Sequence, residues 1–250
     1  MASVTKRIRD IKQPRGGYLN PKDLNKFLLQ DDIVLSEENI FPGIVGIAVD
    51  YMTRFMLGTS KRDAFKISLI GARLACEDDM ADIFLSKIEG LDDKSLKYAC
   101  KLAGYDTVYR AGISTFVPVD TIEPNKETLE NIRIMVNRSL HFFELYGPIT
   151  KDGFDFRPNG YTNTVDTGDG DFLTKDTLWD FKTSKNEPKN TQTLQLLMYY
   201  VMGKKSGQKI FNNIKKIGIY NPRLNVVYTY DMSNFPKELI EDIENNVICY

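Results

Sequence analysis

Histidine is nearly missing from this chain, with His141 the only one in 250 residues. A Ser-His-Asp hydrolase or a histidine-ligated metal nuclease would have to rest on that single imidazole. It sits in Arg138-Ser139-Leu140-His141-Phe142-Phe143, inside a predicted helix, where a packing or surface role is the better account. Cysteine is scarce too. Cys76, Cys100 and Cys249 are odd in number, far apart and never spaced C-x-x-C. They indicate neither a zinc site nor a disulfide framework, and reduced, intracellular thiols are the simplest reading. No apolar run approaches transmembrane length, and the polar, basic start has no hydrophobic leader segment, so a soluble, cytoplasmic protein with no membrane role is expected. Net charge is close to absent at −1, which leaves no global field towards nucleic acid or membrane. Internal repeats, low-complexity linkers and ATPase or helicase motifs are also lacking, and residues 1–250 are read as one domain.

What is present is a real core and an uneven charge distribution. Hydrophobic residues make up 42% of the chain, ample for a buried interior at this length. Residues 181–223 carry nine lysines and arginines against the single acid Glu187, and residues 1–30 carry seven against two. Two basic regions in a neutral protein suggest an anionic partner bound locally, against the plainer reading of lysines on a solvated surface.

Periodicity predicts helices first and strands later. Residues 1–20 read as a basic arm that reaches the body near Tyr18, and 21–29 as a short helix. A clearer helix over 36–58 has Ser36 as N-cap and the stripe Ile44, Ile47, Ala48, Tyr51, Met52 and Phe55. Helical patterning continues over 61–89, 92–103 and 125–146. At Gly147-Pro148 the character changes, and strands are predicted over 154–156, 161–173, 178–183, 216–221 and 226–231, with helices over 191–202 and 236–247. Residues 1–147 would thus form a mainly helical layer and residues 148–250 a β-meander, a helix and closing strands. The fold class is α/β (α+β), a mixed sheet flanked by helices.

Five aspartates crowd residues 166–180 before the chain turns basic. Within Leu178-Trp179-Asp180-Phe181-Lys182 a strand would put Asp180 and Lys182 on one face and Trp179 and Phe181 on the other. Burying a carboxylate beside an ammonium on a sheet costs several kcal/mol unless something binds there, and a divalent metal is the natural candidate. Asp-x-Lys alone says little, since Asp10-Ile-Lys12 and Asp92-Asp-Lys94 also occur. Only Asp180-Phe-Lys182 lies in a predicted strand with a second carboxylate strand just before it.

Three elements in order, Gly168-Asp169-Gly170-Asp171, Asp180-Phe181-Lys182-Thr183-Ser184 and Gln195-Leu196-Leu197-Met198-Tyr199, resemble the motifs of PD-(D/E)XK nucleases, and within them the RecB-type exonuclease domains. The resemblance covers roughly residues 160–231. It departs from the family in having no proline before Asp171 and in offering Gly46-Ile-Ala-Val-Asp50 where such nucleases place a Gly-x-x-x-His. Three scattered cysteines cannot supply the iron–sulfur cluster of some relatives.

The resemblance implies a restriction-endonuclease-like fold and Mg²⁺- or Mn²⁺-dependent hydrolysis of DNA. Asp171, Asp180 and the Phe181 carbonyl would be metal ligands, with Asp50 as a further carboxylate and Glu77 as its less favoured rival. Lys182 would orient the attacking water or offset charge, and Gln195 would position the Lys182 end of the site. Tyr199 would contact DNA or pack in the core, while Lys185 and Lys189 would hold phosphates. Asp166, Asp169 and Asp176 are read as turn or rim residues. With no base-reading module visible, DNA ends or single strands are the expected partners, through an exonuclease or structure-directed activity in recombination, repair or phage and mobile-element biology. A homo-oligomer or recombination and repair proteins would be further partners. The alternative is a nucleic-acid-binding module of this fold without turnover.

Overall fold

Apolar residues recur at helical spacing early in the chain and alternate later, and a computed structural model, which describes residues 2–250, bears out that order. Two compact units form, one from Asp31–Phe142 and one from the residues up to Gln30 together with Phe143–Tyr250. The start of the chain supplies β1 (Ala2–Ser3), α1 (Val4–Asp10) and β2 (Asn25–Leu28).

The Asp31–Phe142 unit is helical: α2 (Pro42–Met56), α3 (Lys61–Ala64), α4 (Lys66–Leu74), α5 (Asp78–Ser86), α6 (Asp93–Ala103), α7 (Asp106–Ala111) and most of α8 (Lys126–Tyr146). Its core joins Val45, Val49 and Met52 of α2 to Leu96 and Cys100 of α6 and to Ile132, Met135 and Val136 of α8. Asp92 caps α6 by accepting the Ser95 N–H at 3.0 Å. The expected start at Ser36 is corrected. Helix α2 begins at Pro42, whose fixed φ suits a first helical position and whose ring keeps Phe41 extended. Ser36 instead lies in an extended segment tied to α8: its N–H donates to Asn131 Oδ1 at 3.0 Å, and its carbonyl accepts from Asn131 Nδ2 at 2.8 Å.

The other unit holds β3 (Lys151–Phe154), β4 (Val165–Thr167), β5 (Gly170–Leu173), β6 (Thr177–Phe181), α9 (Asn190–Lys205), β7 (Lys216–Asn221), β8 (Val226–Asp231) and α10 (Lys237–Asp242). Six strands form one mixed sheet in the order β2-β8-β7-β6-β5-β3, while β1 and β4 make a small parallel pair. Only β6 and β7 pair in parallel within the large sheet, and α9 is the crossover such a pair requires. The short helix expected over 21–29 is a second correction. A single 3₁₀ turn at Pro21–Asp23 is followed by β2, which pairs antiparallel with β8. Four residues cannot repay helix nucleation, whereas the open edge of β8 offers a ladder at once. The basic arm is likewise part of the body, with Val4 and Ile8 buried and Tyr18 donating to Asp242 Oδ2 at 2.7 Å.

The β6 register explains the sheet's two faces. Leu178 stands beside Ile217 of β7 and Leu173 of β5, in the core that also holds Leu194 and Leu197 of α9. On the opposite face Phe172, Phe181 and Phe143 gather, with centroids 4.9–5.5 Å apart, and Tyr146 meets Trp179 edge-on at 5.5 Å. Buried Trp179 Nε1 donates to Thr174 Oγ1 at 3.0 Å.

Candidate active site

Asp180 follows Leu178 by two residues and therefore faces α9, as does Lys182. The carboxylate is buried, with the residue only 2% exposed, and its Oδ2 lies 2.6 Å from Lys182 Nζ. Lys182 keeps 27% of its side chain in solvent, so the pair sits at the border between core and water. This is the alternation expected from the sequence: charge on one face of β6, aromatic rings on the other.

Asp171 comes from the neighbouring strand. The antiparallel register pairs Phe172 with Trp179 and Leu173 with Leu178, which puts Asp171 on the Asp180 face. Beyond Phe172 and Trp179 the ladder stops. In its place the Asp171 side chain reaches across, and its Oδ2 accepts the Phe181 N–H at 2.8 Å. A strand residue's N–H and C=O point to the same edge, so the Phe181 carbonyl faces the same gap between β5 and β6. On the β7 side the main chain stays paired, with Lys182 N donating to Tyr220 O at 3.0 Å.

Helix α9 completes the cluster. Gln195 and Tyr199, one turn apart, are joined by a hydrogen bond from Gln195 Nε2 to Tyr199 Oη at 2.8 Å. Burial drives the Tyr199 phenol well above its ordinary range. The carboxylates of Asp180, then Asp171 and Asp169, push it the same way, against the Gln195 hydrogen bond. The phenol therefore stays protonated at neutral pH and shares an electrostatic neighbourhood with all three aspartates. At 4% exposed, Tyr199 works from inside the cluster, and Gln195 addresses the tyrosine.

Among the remaining residues singled out by sequence, Lys185 and Lys189 are exposed in the segment between β6 and α9. Asp169 is exposed in the turn before β5, and Asp176 pairs with Lys216 at 3.2 Å. Asp50 and Glu77 belong to the helical unit. Asp50 Oδ1 is bridged by Arg54 Nε at 3.0 Å along α2, and Glu77 accepts the Tyr105 hydroxyl. His141 is exposed on α8, and all three cysteines are free thiols.

The basic stretch 181–223 is less open than its composition suggested. Lys204 donates to the Phe211 carbonyl, Lys205 pairs with Glu244, and Arg223 Nε donates to the Thr183 carbonyl at 2.7 Å. With Asn221 Nδ2 on the Ser184 carbonyl at 2.8 Å, Arg223 pins the loop that follows Lys182. Sequence reasoning missed these supports because their partners are main-chain oxygens or, for Lys205, a carboxylate far along the chain, and neither leaves a local pattern.

No family model, curated protein or solved structure matches this chain.

The donor chemistry can be set against a divalent cation. Asp171, Asp180 and the Phe181 carbonyl form an all-oxygen set of the kind hard cations take, and Mg²⁺ usually keeps several waters besides its protein ligands. Two carboxylates and a carbonyl therefore fit Mg²⁺ or Mn²⁺. Among the described residues no group of three histidine, cysteine or acidic side chains gathers for a metal. Among the same residues no helix is long and apolar enough to cross a membrane.

Proposed function

We propose that the Asp171–Asp180–Lys182 cluster hydrolyses phosphodiester bonds in DNA with the help of Mg²⁺ or Mn²⁺, as a PD-(D/E)XK-type nuclease. The observation that carries this reading is the convergence of two carboxylates from adjacent strands on one sheet face, where the ladder between those strands stops, with Lys182 held on Asp180. A structural sheet has little use for that arrangement, because each buried ion loses several kcal/mol of hydration.

Asp171, Asp180 and the Phe181 carbonyl would hold the cation, which when bound lowers the pKa of water and relieves charge on a phosphate. Lys182 would orient a water towards phosphorus and offset the negative charge that develops as the P–O bond to the leaving oxygen breaks. Asp180 fixes the Lys182 end of that contact, and the protonated Tyr199, steadied by Gln195, keeps a neutral hydroxyl beside the carboxylates. Exposed Lys185 and Lys189 supply phosphate contacts on the approach. Asp50 belongs to the helical unit and pairs with Arg54 along α2, and the proposed chemistry rests on Asp171, Asp180 and Lys182 alone.

The test is degradation of linear and single-stranded DNA with Mg²⁺ or Mn²⁺ by the wild-type chain and by Asp180→Ala. Metal-dependent cleavage that disappears in the variant supports the reading. If both proteins are inert with either metal but bind DNA, the chain is a binding module of this fold. Absence of both binding and cleavage removes DNA as the partner.

A further inference from the structure

A cavity of about 610 Å³ opens in the sheet-bearing unit at the start of α9, separate from the residues assigned to the carboxylate cluster. Its walls come from three places: the turn and strand Asn20–Lys26, the segment Glu187–Thr191, and Tyr228 of β8. Three lysines line it, Lys22, Lys26 and Lys189, against one acid, Glu187, which Lys26 already bridges. At its floor α9 begins with Lys189 as N-cap. The N–H groups of Gln192 and Thr193 turn back to the Lys189 carbonyl, and the Lys189 N–H is met by Gln192 Oε1. Asn190 and Thr191 line the cavity and their N–H groups precede any helical acceptor, which puts the positive end of α9 at its wall.

Tyr228 is an independent sign that something belongs here. It is 3% exposed, stands opposite Lys26 in the β2–β8 register and feels the charges of both Lys26 and Glu187. Its hydroxyl oxygen has no hydrogen-bond partner among the described residues. Buried tyrosine hydroxyls are normally satisfied, and leaving one unmet is costly. The Lys26–Glu187 ion pair is exposed on both sides and weak, so an incoming anion that replaces Glu187 on Lys26 can also uncover the buried tyrosine hydroxyl and accept from it. The rest of the lining is mostly apolar, Pro21, Leu24 and Pro188 beside the polar Asn20.

We propose that this cavity binds a nucleotide-sized phosphate monoester, its phosphate on the α9 N–H groups, Lys22, Lys189 and the Tyr228 hydroxyl, and its organic body against Pro21 and Pro188. Free mononucleotides and the phosphorylated end of a nucleic-acid strand share this chemistry. Lys189 is shared with the phosphate contacts of the proposed nuclease, whereas Lys22, Tyr228 and the start of α9 do not depend on the carboxylate cluster.

The experiment is calorimetric titration of the full chain without divalent metal. The probes are deoxyadenosine 5′-monophosphate, deoxyadenosine, inorganic phosphate, and a short oligonucleotide with and without a 5′-phosphate. The monophosphate should bind at least about tenfold more tightly than the nucleoside, and Lys22→Gln with Lys189→Gln should weaken it by about tenfold or more. Tyr228→Phe should weaken binding several-fold while leaving the free protein as stable or more so, a combination that a purely structural hydroxyl would not give. Preference for the phosphorylated oligonucleotide over the mononucleotide would assign the site to strand ends, and the reverse to free nucleotides. Binding of no phosphate-bearing probe, or equal binding by the lysine variant, overturns the proposal. So does loss of binding in Asp180→Ala with retention in the lysine variant, which would place the phosphate at the carboxylate cluster.

Discussion

Two aspartates in this protein are both almost fully buried and should answer the same substitution differently. Asp180 is 2% exposed on β6 and Asp106 fully buried at the start of α7. At Asp106 the carboxylate is a structural acceptor: Tyr51 Oη donates to it at 2.7 Å and Ser68 Oγ at 2.6 Å, with Arg110 Nε at 3.3 Å. Asp106→Asn keeps the shape but exchanges two hydroxyl-to-carboxylate bonds, each worth about 1.5–3 kcal/mol, for one neutral bond. Relief of the burial that raises the Asp106 pKa offsets part of this, so a loss of about 2 kcal/mol is expected. At Asp180 the main compensation is Lys182 at 2.6 Å. At an effective dielectric of about 20 that contact is worth roughly 6 kcal/mol before desolvation, and desolvation of the ions takes back several kcal/mol each. Asp180→Asn removes the attraction and the carboxylate's share of the desolvation, and Lys182, its side chain 27% exposed, can turn its ammonium to water rather than stay buried and unpaired. The net change should therefore lie within about 1 kcal/mol of zero, with stabilisation as acceptable an outcome as loss. The proposed cleavage should fall by about 10³-fold or more, as when a group that acts on the transition state is removed.

The assay is urea unfolding followed by two signals. Trp179, the sole tryptophan, reports the sheet-bearing unit by fluorescence, and far-UV circular dichroism is weighted towards the helices. A destabilisation of 2 kcal/mol or more in Asp180→Asn, matching Asp106→Asn, would show the Asp180 carboxylate to be a structural member of the core. Its burial would then serve the fold and not chemistry.

Two further predictions concern the helical unit. Asn131, 1% exposed, holds both the N–H and the carbonyl of Ser36, so Asn131→Ala should cost about 1–3 kcal/mol and speed amide exchange at Ser36, read by hydrogen exchange. Asp31 accepts from Arg138 Nη2 at 2.7 Å, and that hydrogen bond, against a smaller cost of burial, lowers its pKa below the usual 3.8. Because the folded value is the lower one, the stabilisation is complete above the unfolded carboxyl's pKa and is lost as pH falls through the folded one. Denaturant midpoints measured from pH 5 downward should therefore drop less steeply in Asp31→Asn than in the wild type, and parallel curves would refute the assignment.

Much of the site was legible because its elements are local. Strand alternation alone placed Asp180 and Lys182 opposite Trp179 and Phe181, and one helical turn alone brought Gln195 to Tyr199. The strands over 216–221 and 226–231 were equally plain, since alternation and β-branched residues act within a few positions. The misread segments each depend on a remote partner. Asn25–Leu28 is a strand because β8 leaves an edge open, and Ser36 is extended because Asn131 binds its main chain.

Sequence by itself thus determined the fold class and the faces of β6, for these follow from side-chain periodicity along one segment. Only the tertiary structure decided that Asp171 reaches the Phe181 N–H across a gap, and that Lys22, Lys26, Tyr228 and the start of α9 enclose one cavity. It also decided which lysines face solvent and which are spent on carbonyls and carboxylates. Register between strands and the return of residues 1–30 to the sheet fix those contacts, and neither leaves a trace in the spacing of residues along the chain.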